Sequence, residues 1–125
     1  MALKLLLIVD DEPVMRRLLR EYLKNKYEIL EAQDGHAAVK MAAENNPDIV
    51  LMDMMMPGMD GLTACYKIKA QDTTAKTRVV ILTGVDQELD KTLSVSIMHA
   101  DGYITKPFKK EHLLKTLEDL LATAG

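Results

Sequence analysis

The sequence predicts an α/β domain with a mostly parallel sheet and helices on both faces. Three observations carry this. Short apolar runs alternate with helix-period segments along the whole chain, the pattern of repeated βα units. Two of the runs, Leu5-Leu6-Leu7-Ile8-Val9 and Ile49-Val50-Leu51-Met52, read as buried strands, and each ends in acid: Asp10-Asp11 after the first, Asp53 after the second. At 125 residues the chain fits one compact domain, residues 1–125, with a real core and no space for an attached output domain.

The elements follow in order. Strands are expected at about 4–9, 27–32, 49–53, 79–83 and 102–105. The first helix begins near Pro13, where a first turn accepts proline. Its apolar pairs Val14/Met15, Leu18/Leu19 and Tyr22/Leu23 recur every four residues and mark one buried face. The second helix runs from about Gly35 to Glu44 and stops before Asn46-Pro47, because the residue before proline is pushed out of the α region. A third starts near Asp60-Gly61 and runs towards Ala70. A fourth carries Leu89, Leu93, Ile97 and Ala100 on one stripe, and the last carries Leu113, Leu114, Leu117, Leu120 and Leu121. Right-handed crossovers put helices on both faces, and ligands in such folds bind outside the carboxyl ends of the strands.

Asp10, Asp11, Asp53, Thr83 and Lys106 all fall at such ends. Parallel neighbours lie about 4.8 Å apart, and two carboxylates roughly 5 Å apart repel by about 3 kcal/mol at an effective dielectric near 20. Such a cluster must bind a cation or shift its pKa values. With a hydroxyl and an ammonium on the other side, the set suits transfer of a phosphoryl group onto a carboxylate, where the protein mainly positions and neutralises. Mg²⁺ takes oxygen ligands while keeping several waters, so Asp11 and Asp53 can hold it against the phosphoryl group. Each residue has a duller explanation alone: an acid favouring a helix N-terminus, a strand-end hydroxyl bonded to backbone, a solvated lysine. Their conjunction on strand ends of one polarity is what points to chemistry.

Composition narrows the field. The 16 Lys and Arg and 19 Asp and Glu give a net charge of −3 without a basic cluster, which disfavours direct nucleic-acid binding. The run from Leu5 to Val9 is too short to span a membrane. Cys65 stands alone, fitting a reducing cytosol and a buried structural thiol. Met52, Met54, Met55, Met56 and Met59 invite a soft-metal reading, but beside hard carboxylates they read better as gap-filling side chains. His36, His99 and His112 are too widely spaced for a metal site and suit exposed or partner-facing roles. Tyr103, an aromatic on a short strand, reads as half-buried packing.

Asp10-Asp11 after the first strand, Asp53 with Met56-Pro57-Gly58-Met59-Asp60-Gly61 behind it, Thr83-Gly84 after the fourth and Lys106-Pro107 after the fifth resemble the receiver domain of bacterial two-component response regulators. The resemblance covers essentially the whole chain. It implies a flavodoxin-like sheet of order 2-1-3-4-5 and a cis Lys106-Pro107 bond. It implies that Asp53 accepts phosphate from a histidine kinase or a phosphotransfer protein. Asp11, Asp53 and the backbone carbonyl of Met55 would hold Mg²⁺, with Asp10 acting through water, and Thr83 and Lys106 would contact the acyl phosphate. Tyr103 matches the aromatic switch position, and a downstream protein would bind the face of the fourth helix, fifth strand and last helix. A cytoplasmic monomer, or a dimer formed on phosphorylation, is implied as well.

Three rivals fit less well. A phosphatase of the haloacid-dehalogenase type places its nucleophile in a DxDxT pattern, whereas this chain reads Asp10-Asp11-Glu12-Pro13-Val14. A flavin carrier of the same fold needs a phosphate loop where two acids and a proline stand. A receiver relative that works without phosphorylation would usually lack part of the acidic set, and all five positions are filled here.

Overall fold

The computed structural model describes residues 3–84 and 99–122. Five strands, β1 (Lys4–Val9), β2 (Tyr27–Ala32), β3 (Ile49–Asp53), β4 (Arg78–Gly84) and β5 (Gly102–Lys106), form one sheet. They pair in parallel in the order β2-β1-β3-β4-β5. The helices among the described residues are α1 (Pro13–Leu23), α2 (Gly35–Asn45), α3 (Gly61–Ala70) and α4 (Lys110–Ala122), with a 3₁₀ turn at Asp72–Thr74. The predicted strands and their order hold, with β4 one residue longer at each end and β5 one longer at its end.

Period-two alternation assigns each strand residue to a face. Leu7, Val9, Val50, Met52, Val79 and Ile81 meet α2 and α3 residues such as Ala38, Ala42, Ala64 and Ile68 in one core. Leu6, Ile8, Ile49, Leu51, Val80, Leu82 and Ile104 meet Leu19, Leu23, Leu113 and Leu117 of α1 and α4 in the other. β3 is buried along its whole length, which explains its unbroken apolar run. Caps set the helix starts: Asp34 Oδ1 accepts from Ala37 N–H at 2.8 Å, and Asp60 Oδ1 from Thr63 N–H at 2.7 Å.

Two expectations are corrected. In α1 two of the three apolar pairs are split: Leu19 is buried and Met15 packs against the same core, whereas their partners Leu18 and Val14 are 39% and 79% exposed; only Tyr22 and Leu23 both pack inward. Adjacent residues on a helix diverge by about 100°, so a flat sheet covers one of a pair fully and the other at most in part. Ala100, placed on the fourth helix, instead lies in irregular chain and packs into the first core behind His99, whose φ of 63° is left-handed. The stripe Leu89, Leu93 and Ile97 lies outside the described residues. Asp101 then ties the entrance of β5 down, accepting from Val79 N–H at 2.7 Å and pairing with Lys69 of α3 at 2.7 Å.

Candidate functional site

The register brings the acids together. Val9 pairs with Met52, so the next residues, Asp10 and Asp53, leave the sheet side by side. Asp10 is fully buried and fixed from several directions. Its N–H donates to Ala32 O at 3.2 Å, its Oδ1 accepts from Glu12 N–H at 2.9 Å, and its carbonyl accepts from Arg16 Nη1 at 2.7 Å. Its Oδ2 is buried with no hydrogen-bond partner among the described residues. Burial, then the nearby charges of Asp53 and Asp11, raises the Asp10 pKa from 3.8 to about 6 against the Glu12 N–H and Lys106, which lower it.

Ligand-capable oxygens of Asp10, Asp11 and Glu12 lie within 4.8 Å of one another, the latter two exposed. Glu12 was not anticipated as a member. It sits in the position before α1, but its side chain makes no capping bond, and no acid lies in the first turn of α1. The duller expectation for Asp10 is met in part, since Oδ1 does fasten the turn into α1. That leaves Oδ2, and an orphaned buried carboxylate oxygen among hard oxygen donors fits a cation such as Mg²⁺.

Asp53 is 5% exposed at the end of β3. Lys106 Nζ, arriving from the end of β5, donates to Asp53 Oδ1 at 2.9 Å. Thr83, buried near the end of β4, has its Oγ1 3.3 Å from Gly84 O and pairs in register with Thr105. Leu82 pairs with Asp53, so Thr83 stands one residue beyond the acid on the neighbouring strand. Tyr103 is half-buried against the first core and pairs with Ile81. All five predicted strand-end residues therefore gather at one edge, and the Lys106-Pro107 peptide is cis as expected.

The wall behind Asp53 is built by the methionine and glycine stretch. Met54, Met56 and Met59 are buried, confirming their packing role, while Met55 is 59% exposed. Gly61 N–H donates to Met54 O at 2.9 Å. A Cβ on Gly61 would collide with the Asp53 carbonyl, so only glycine lets α3 start this close to the acid. Cys65 is buried, and burial pushes its thiol up to about 12, away from reactivity. His36, His99 and His112 are exposed. No described helix is long and apolar enough to cross a membrane.

The chain is similar to known proteins in sequence and fold. Residues 6–118 match the response regulator receiver domain family. The chain is 43% identical to the chemotaxis protein CheY of Halobacterium salinarum over 119 residues, covering 94% of this chain and 97% of that one. It is 39% identical to Protein PilH of Pseudomonas aeruginosa over 118 residues, with the same coverage of both. Among solved structures, Vibrio cholerae CheY4 superposes with a TM-score of 0.87 at 30% identity, covering 95% of this chain and 99% of that one. The receiver domain of the sensor histidine kinase PA1611 from Pseudomonas aeruginosa, which has a magnesium ion in its active-site cleft, gives 0.87 at 28% identity over 98% and 100%. The family match over residues 6–118 and the identity along nearly the whole chain show that this chain belongs to the response regulator receiver domain family.

Proposed function

We propose that this domain is the phosphoacceptor of a two-component relay, with Asp53 taking a phosphoryl group from a phosphohistidine of a histidine kinase or phosphotransfer protein. The observation that carries this reading is the 2.9 Å contact from Lys106 Nζ to Asp53 Oδ1 beside the acid turn of Asp10, Asp11 and Glu12. An Asp53 oxygen attacks phosphorus, the P–N bond to histidine breaks, and the imidazole leaves with the electron pair. Lys106 then turns from the carboxylate to a phosphoryl oxygen, and the Thr83 hydroxyl donates to another. Asp11, Asp53 and the Met55 carbonyl would hold Mg²⁺, with Asp10 acting through water and Glu12 at the rim. Bound Mg²⁺ offsets the charge on the phosphoryl oxygens. The same residues let the domain promote its own phosphorylation and dephosphorylation, without a separate substrate turned over.

Thr83 moving towards the new oxygens vacates space that Tyr103 fills, which biases the face of β5 and α4 for a downstream protein. The domain acts as a single unit over residues 1–125, in the cytoplasm, as a monomer or a dimer formed on phosphorylation. The test is intact-mass spectrometry after incubation with acetyl phosphate and Mg²⁺. Wild type gains one alkali-labile phosphoryl group and Asp53→Asn gains none; an unchanged wild-type mass refutes the reading.

A further inference from the structure

We infer that Arg16, braced by Glu31, is a positioning residue for the Asp10-Asp11 turn and sets how tightly that turn holds a divalent cation, an inference that rests on the cation-dependent phosphoacceptor reading above. From α1 the Arg16 side chain reaches the turn's backbone, with Nη1 donating to Asp10 O at 2.7 Å. Its Nε donates to Glu31 Oε1 at 3.2 Å, and the other Glu31 oxygen accepts from Arg20 Nε at 2.6 Å. Glu31 lies on β2 immediately before Ala32, whose carbonyl accepts the Asp10 N–H at 3.2 Å. The two peptides flanking Asp10 are therefore both tied to the β2 edge, one directly through Ala32 and the other indirectly through Arg16 and Glu31. The Arg16 side chain is 19% exposed, and its planar guanidinium serves both partners at once, Glu31 through Nε and Asp10 through Nη1.

This grip fixes the direction in which Asp10 leaves the strand, while Oδ1 is held by Glu12 N–H and Oδ2 stays without a partner among the described residues. The Arg16 contact to Asp10 is to its carbonyl oxygen, so Arg16 works through the backbone. Residues that orient metal ligands typically change affinity about 10–100-fold when removed. Arg20 supplies an internal control: it shares Glu31 and has no bond to Asp10.

The experiment uses the full chain, with Mg²⁺ titrations and amide hydrogen exchange followed by NMR in wild type, Arg16→Met, Arg16→Lys and Arg20→Met. We expect Arg16→Met to weaken Mg²⁺ about 10-fold at the low end of that range, Arg16→Lys to recover part of the loss, and Arg20→Met to stay near wild type. In metal-free protein, protection of the Glu12 amide should fall in Arg16→Met and hold in Arg20→Met. Wild-type Mg²⁺ affinity and Glu12 protection in Arg16→Met would overturn the inference, as would equal losses in Arg16→Met and Arg20→Met. A wild type that ignores Mg²⁺ overturns the cation reading and the affinity claim with it; the metal-free Glu12 protection tells that failure apart from a failure of Arg16 to position the turn.

Discussion

Asp10 shows how a single residue can be costly to the fold and useful to the site. Its carboxyl is fully buried and holds its proton more tightly in the folded chain, with a pKa of about 6 against 3.8. The sign follows from linkage. A raised acid pKa means that the folded state binds more protons, so the contribution of Asp10 to stability is most favourable below about pH 4 and declines as pH rises through about 6. The rise corresponds to at most roughly 3 kcal/mol at neutral pH without a cation. Asp10→Asn should therefore raise the melting temperature at pH 7 in EDTA, with the gain vanishing near pH 4, as thermal unfolding at several pH values will show. Mg²⁺ should stabilise wild type and leave Asp10→Asn largely unmoved. Asp10 was legible in the sequence because it ends an apolar run; Glu12 and Arg16 were not. Glu12 reads as an ordinary acid ahead of a helix, and the reach of Arg16 to Asp10 O depends on how α1 sits across the end of β1.

Among the elements, the join from β3 to α3 constrains the site most tightly. Gly61 and Gly58 sit three residues apart but for different reasons. A Cβ at Gly61 meets the Asp53 carbonyl and lies 3.0 Å from Met54 Cα, whereas at Gly58 nothing lies within 4 Å and the constraint is a φ of +80°. Gly61→Ala should cost about 1–3 kcal/mol through overpacking and also slow phosphorylation, because the backbone it displaces carries Asp53. Gly58→Ala should cost about 1–2 kcal/mol of conformational strain with little change in phosphorylation rate. Urea unfolding and acetyl phosphate kinetics on the two variants separate these effects. Strand positions were readable because buried parallel strands are continuous apolar runs. The buried side of α1 was less so: Val14 and Leu18 match Met15 and Leu19 in hydrophobicity, and only the approach angle of the sheet decides which row is covered.

For the whole molecule, the sheet separates two cores and carries the site at the ends of its three central strands and of β5. Thr83 and Tyr103 lie on β4 and β5, the two strands between β3, which carries Asp53, and the edge of the sheet. Beryllofluoride, a phosphate mimic, should shift amide resonances from Asp53 and Thr83 through Tyr103 into α4, and Thr83→Ala should mute the distant part. Changes confined to the Asp53 pocket would mean that the domain signals by another surface. The order of strands and the gathering of five strand-end residues were legible because topology alone brings parallel strand ends to one edge. The central claim remains the transfer from nitrogen to Asp53. Phosphoramidate supplies a P–N bond without a protein donor, and borohydride reduction converts an acyl phosphate to an alcohol that peptide mapping locates. With Mg²⁺ present, the account predicts homoserine at position 53 and at no other aspartate; an unmodified Asp53, or a product at another residue, would contradict it.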